Sequence, residues 1–297
     1  RKYLLFILFI SLVFSQVQQG GYPKYFNTLP NRDIQFITTE NRDIVDRKFH
    51  PMVFQFGTEY KLDISFFDVA MVFIEDDIYT FLLEIRSNNA YGLAINFGNF
   101  FLTENAELYF YDKERTNFLG SLTSSNNKDS DNLTTSIIKG SKIIIELSVP
   151  ESEVNDIELH INTVIHDYTD IMNYYNTFNS EREDCNINVM CSEGDDWRDQ
   201  IDGVVRVAMG GGLCSASLIN NSSYDRTPYV LFADHCVSGS ASDYVFYFNY
   251  QSSTCSGSNG SLNQSISGST VLASEDINSG PDFALLEMTS NIPDSYN

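Results

Sequence analysis

YVLFADHC, Tyr229 to Cys236, ends an apolar run of strand-forming residues on a histidine followed directly by a cysteine. β-branched and aromatic residues suit a pleated, half-buried surface, so Tyr229 to Phe232 predicts a strand, and a strand ending in a turn presents its last polar side chain at the sheet rim. That places His235 where solvent and a substrate can both reach it. A second run, FALLEM from Phe283, is preceded by Asp282, 47 residues beyond His235. A carboxylate that begins one strand and an imidazole that ends another can converge at one rim, where the carboxylate accepts the Nδ1 hydrogen and fixes the tautomer. Between Ile201 and Asn221, IDGVVRVAMGGGLCSASLINN sets a strand on either side of three glycines and predicts a hairpin.

The five cysteines, Cys185, Cys191, Cys214, Cys236 and Cys255, all lie between 185 and 255 of the 297 residues. In an exported chain this clustering reads as a disulfide framework in which the odd count means that a partner is missing or one thiol is free, against the plainer reading of cysteines as small buried hydrophobes. Neither CxxC nor HExxH occurs, and the other histidines stand far from His235 in sequence, so no metal and no cofactor are expected. The acidic groups Glu75-Asp76-Asp77 and Asp195-Asp196 lack the alternating oxygen ligands of a calcium loop and read as solvated faces.

The amino terminus, RKYLLFILFISLVFSQVQ, has two cations, an apolar run from Tyr3 to Phe14, and residues compatible with cleavage after Ser15. This is the layout of a secretory signal peptide over 1–15, too short for a transmembrane span of about 20 residues. A secreted protein with no membrane contact after signal removal is expected. The first residue is not Met, so the sequence is expected to be clipped at its start. A formal charge of −22 argues against a nucleic-acid partner, since phosphate binding needs a basic surface to displace counterions. Hydrophobic residues make up 42%, enough for about two domains with real cores.

From 16 to 169 the text is that of a β protein without cysteine. LAINFGNFFL from Leu93, AELYFYD from Ala106, KGSKIIIELSVP from Lys139 and IELHINTVIHDY from Ile157 are separated by turn residues, including the polar loop SSNNKDSDN from Ser124. Strands at this spacing predict an antiparallel β-sandwich. In the last of them Ile157, Leu159, Ile161 and Thr163 oppose Glu158, His160 and Asn162. His160 falls on the polar face and His166 in a following turn, so both are expected at the surface. The polar stretch 170–184 reads as a linker, with Arg182 exposed within it, and 185–297 as a second domain.

LCSASLIN, YVLFADHC and PDFALLEM, in this order, resemble the first half of a secreted trypsin-like serine endopeptidase of the chymotrypsin fold. CNINVMCSEGDDWRDQIDGVVRV, from Cys185, is similar to the start of mature enzymes of the bacterial lysyl endopeptidase branch, and the long segment before it to their pro-region. The resemblance implies an all-β chain in which a β-sandwich pro-region precedes the first β-barrel of a protease domain. It implies that His235 is the general base and Asp282 its orienting carboxylate. It also implies disulfides Cys214–Cys236 and Cys191–Cys255, with Cys185 unpaired, and a processing site at Arg182. The substrates implied are proteins or peptides, with cleavage at Lys or Arg suggested by the resemblance to the lysyl endopeptidase branch, and the pro-region is expected to contact the protease domain. Phe232 departs from the family's small residue beside the alanine before the histidine, and its ring must find room in the barrel.

The serine of the family's Gly-x-Ser-Gly motif, with the second barrel that carries it, is expected beyond Asn297, which would leave 1–297 inactive. Ser215, Ser217 and Ser238 are near His235 in sequence but stand in no such motif. A different class of function remains open at this level: an exported binding or adhesive protein whose sandwich does the work and whose protease-like half is vestigial.

Overall fold

Alternating apolar residues build three β-sheets in the computed structural model, which describes residues 20–30, 33–173, 187–257 and 259–296. The expected signal peptide 1–15, Arg182, Cys185 and the linker from 174 onward lie outside the described residues. The chain is all-β, as expected, with only short helical turns between strands.

The first two sheets face each other in the amino-terminal part. One has Lys142–Pro150 at its centre, flanked by Ile78–Arg86 and Glu107–Asp112, with Phe118–Leu122 at one edge and Phe36–Thr38 and Met71–Glu75 against Ile78–Arg86. The other pairs Gly92–Phe101 with Glu158–Asp167, and the latter with Gly57–Ser65. Phe97, Phe110, Ile143, Ile145, Leu147 and Ile161 fill the space between them, each fully buried. Burying a side chain of this size stabilises the fold by about 1.5–3 kcal/mol.

Two details differ from the expected antiparallel sandwich. Phe36–Thr38 runs parallel to Glu84–Arg86. KIIIELSVP is buried on both faces, because Tyr25, Phe26 and Leu29 cover the outer side around Ile144, Tyr109 and Tyr111. Glu146 sits under that cover and accepts hydrogen bonds from the Lys24 amide at 2.5 Å and the Tyr111 hydroxyl at 2.8 Å. Its burial raises its pKa despite these donors.

The third sheet curls in the carboxy-terminal part. Val204–Met209 and Gly212–Ile219 form the expected hairpin around Gly210 and Gly211, and Tyr229–Phe232 extends it and pairs with Phe283–Met288. Ser265–Ser267 pairs with Val245–Tyr247 at one edge, while beyond Gly268 the continuing run Ser269–Glu275 pairs with Phe283–Met288 at the other. One bent run of chain therefore holds both edges, and the sheet closes on itself as a small barrel. Val205, Val207, Met209, Val230, Ala284 and Leu286 point inward at period two and form its core. Phe232 finds room there, 4% exposed, with its ring centroid 6.3 Å from that of Tyr244.

The two parts are packed together. Phe56, Ile137 and Ile165 share an apolar cluster with Ala208, Val245 and Tyr247. Phe54–Gln55, early in the sequence, adds a short antiparallel strand to the barrel at Gly212 and Leu213. The polar loop after Ser124 also reaches the barrel: Lys128 Nζ donates to the Ser267 carbonyl at 2.6 Å, and Asn132 Nδ2 to Asp243 Oδ1 at 2.8 Å.

Candidate functional site

His235 stands in the single helical turn Asp234–Cys236 that ends the Tyr229–Phe232 strand, and Asp282 immediately precedes Phe283–Met288. These strands are hydrogen-bonded neighbours, with Phe232 opposite Ala284. The two candidate side chains thus emerge from adjacent strand ends at one rim, although 47 residues separate them in sequence.

Asp282 holds the histidine twice. His235 Nδ1 lies 2.7 Å from Asp282 Oδ2, and the His235 backbone N–H donates to Oδ1 at 2.9 Å. With the carboxylate as acceptor, the Nδ1 position carries the hydrogen and Nε2 is left with its lone pair. The same contacts hold the Asp282 carboxyl below its ordinary pKa, the side-chain hydrogen bond contributing most. Asp282 has φ of +53°, a left-handed conformation that a short carboxylate residue tolerates better than most and that turns its side chain back toward the histidine.

A disulfide braces the turn. Cys236 is joined to Cys214 on the Gly212–Ile219 strand with Cα atoms 6.3 Å apart. The second, Cys191–Cys255, has a Cα separation of 4.3 Å. The sulfurs beside His235 are covalently joined, so they present no thiolate to a cation. Of the nearby serines, Ser238 is occupied elsewhere: its N–H donates to the Tyr244 hydroxyl at 2.7 Å and its Oγ to the Lys48 carbonyl at 3.0 Å. No serine among the described residues hydrogen-bonds to His235.

Two of the other histidines lie in the strand Glu158–Asp167, in the amino-terminal part. His160 is part-exposed and pairs with Asp63 at 2.9 Å. His166 was expected in a surface turn but lies within Glu158–Asp167, half-buried, with Nδ1 2.7 Å from Ser87 Oγ. Irregular register around Ile161 and Thr163 breaks the alternation before it, and burial lowers its pKa.

His50 went unnoticed in the sequence. Its ring centroid lies 5.3 Å from that of His235. The only hint was the setting, DRKFHPMVF, where a histidine stands among cations and aromatic residues in a segment with no strand alternation.

Among the described residues no helix is long and apolar enough to cross a membrane. The two disulfides fit an oxidising compartment. Residues 179–297 match the family model described as lysyl endopeptidase, C-terminal domain, and this match supports a lysyl endopeptidase-related, protease-type protein.

Proposed function

We propose that the chain belongs to the precursor of a secreted serine endopeptidase of trypsin-like type that hydrolyses peptide bonds after lysine or arginine. The observation that carries this reading is the double hold of Asp282 on His235, at 2.7 and 2.9 Å, which fixes one tautomer and leaves Nε2 as a base. In the reaction, Nε2 takes the proton of a serine hydroxyl as its oxygen attacks the scissile carbonyl. The imidazolium so formed is stabilised by Asp282, and it returns the proton to the leaving amine. Water then repeats the sequence on the acyl-enzyme. The nucleophile in this reading is a serine outside the described residues. The amino-terminal sandwich is the pro-region, separated from the protease part by cleavage near Arg182.

The test is labelling of the full-length precursor, after processing, with a serine-directed phosphonate. Labelling that is lost in His235→Ala supports the reading. Equal labelling of wild type and variant removes His235 from the mechanism.

A further inference from the structure

Along Val204–Met209 the side chains of Val205, Val207 and Met209 enter the barrel core, so Val204 and Arg206 face outward. On that outer face, beside the apolar cluster to which Leu213 and Tyr250 contribute, lies an open cavity of about 440 Å³. This is within the range of small-ligand sites, about 300–1,000 Å³. Val189, Ile201, Val204 and Leu213 give it apolar walls, and Arg206 and Gln251 are among its polar groups. Val189 and Ile201 precede the barrel, Leu213 belongs to the hairpin and Gln251 follows Val245–Tyr247, so the cavity exists only where separate stretches of chain converge.

Arg206 is set apart from the arginines around it. Arg47, Arg86, Arg198 and Arg226 each form an ion pair with a carboxylate, although the chain carries a formal charge of −22 and carboxylates are plentiful. Arg206 has no carboxylate partner among the described residues, and its Nη1 is buried without a hydrogen bond. Gln251 Oε1 is buried and unsatisfied in the same way. A cationic donor and a neutral acceptor, both taken from water and given nothing in return, thus belong to side chains of one cavity. The Tyr250 ring lies against the guanidinium, its centroid 4.2 Å from Cζ, which fixes the plane of the fork and leaves the edge for a ligand.

We propose that this cavity binds the carboxy-terminal residue of a peptide, with its carboxylate on Arg206, its amide N–H on Gln251 Oε1 and an apolar side chain against Val189, Ile201 and Leu213. A terminal residue carries an anionic acceptor and an N–H donor on neighbouring atoms, which is the complement of what Arg206 and Gln251 offer. A fatty acid suits the walls and the cation but has no donor for Gln251. Drawing the guanidinium edge and the amide onto such a ligand satisfies both buried atoms at once. Cys214 lines the same cavity and is bridged to Cys236, so the bound peptide rests on the strand that braces the histidine turn. The His235–Asp282 pair takes no part in this binding.

The test is isothermal titration calorimetry of the chain 1–297 with acetyl-Gly-Leu as the free acid, its carboxamide, its N-methyl-leucine analogue and laurate. The expected result is saturable binding of the free acid, weaker by about 10-fold or more for the carboxamide and for the N-methyl analogue. Arg206→Met keeps an apolar stem against Tyr250 without the cation and should weaken binding of the acid by a similar factor. Should that variant fold poorly, the comparison of ligands on the wild-type chain decides the matter by itself. Equal affinity for the acid and either peptide analogue, no saturable binding up to about 10 mM, or laurate binding more tightly than the peptide acid overturns the assignment. The readout needs no catalysis, so its failure and the failure of the phosphonate experiment are separate results.

Discussion

Replacing Cys214 and Cys236 together by alanine removes the brace under the histidine turn, and its cost can be worked from the fold. The bridge closes a loop of 22 residues, and releasing that loop in the unfolded chain costs about 3 kcal/mol of stability by chain entropy. Cys236 is also 3% exposed within the barrel core, so loss of its sulfur adds about 1 kcal/mol for the space left behind. The other bridge, Cys191–Cys255, spans 64 residues and is worth about 4 kcal/mol by the same entropy argument. The two double variants should therefore lose similar stability in guanidinium unfolding followed by circular dichroism. They should differ at the site. The His235 amide donates to Asp282, so its hydrogen exchange reports the pair directly. Exchange should accelerate in Cys214→Ala/Cys236→Ala and stay protected in Cys191→Ala/Cys255→Ala under native conditions. Equal exchange in the two variants, or a loss below about 1 kcal/mol for the first, would refute the account of the brace.

In the processed full-length enzyme, Asp282→Asn should lower kcat about 10³- to 10⁴-fold with little change in KM, because the ring loses its fixed tautomer; initial rates on a peptide substrate decide it. Burial holds the Lys128 amine down to about 7, against 10.5 for an ordinary lysine. The unfolded chain therefore binds the extra proton between these values, and stability falls as pH drops from about 10.5 to about 7 and levels off below. Lys128→Met should accordingly raise the thermal midpoint most at pH 6–7, with the advantage shrinking toward pH 10; a pH-independent difference would show that the amine is not desolvated. Gly211→Ala should cost about 1–3 kcal/mol in chemical denaturation, since its methyl has no room under the Gly57 carbonyl. A neutral Gly211→Ala would mean that the backbone at Gly57 yields easily.

Much of the barrel was legible in the sequence because its strands keep period two: Val205 with Val207, Val230 with Phe232, and Ala284 with Leu286 each mark one inward face. The order of LCSASLIN, YVLFADHC and PDFALLEM singled out His235 and Asp282, and their local setting at strand ends was enough to suggest a common rim. His166 was misplaced because a register irregularity earlier in its strand shifts which residues face inward, and alternation counted along one strand does not register that shift.

Local pattern thus determined an all-β chain, a hairpin at the three glycines and the candidate histidine and aspartate, since these follow from the conformational preferences of residues close in sequence. The seating of residues 46–57 on the barrel, the position of His50 against His235, and the reach of Lys128 to Ser267 were decided only by tertiary structure. Each joins residues more than a hundred positions apart, where contact depends on how whole sheets pack and local propensity carries no information about the partner.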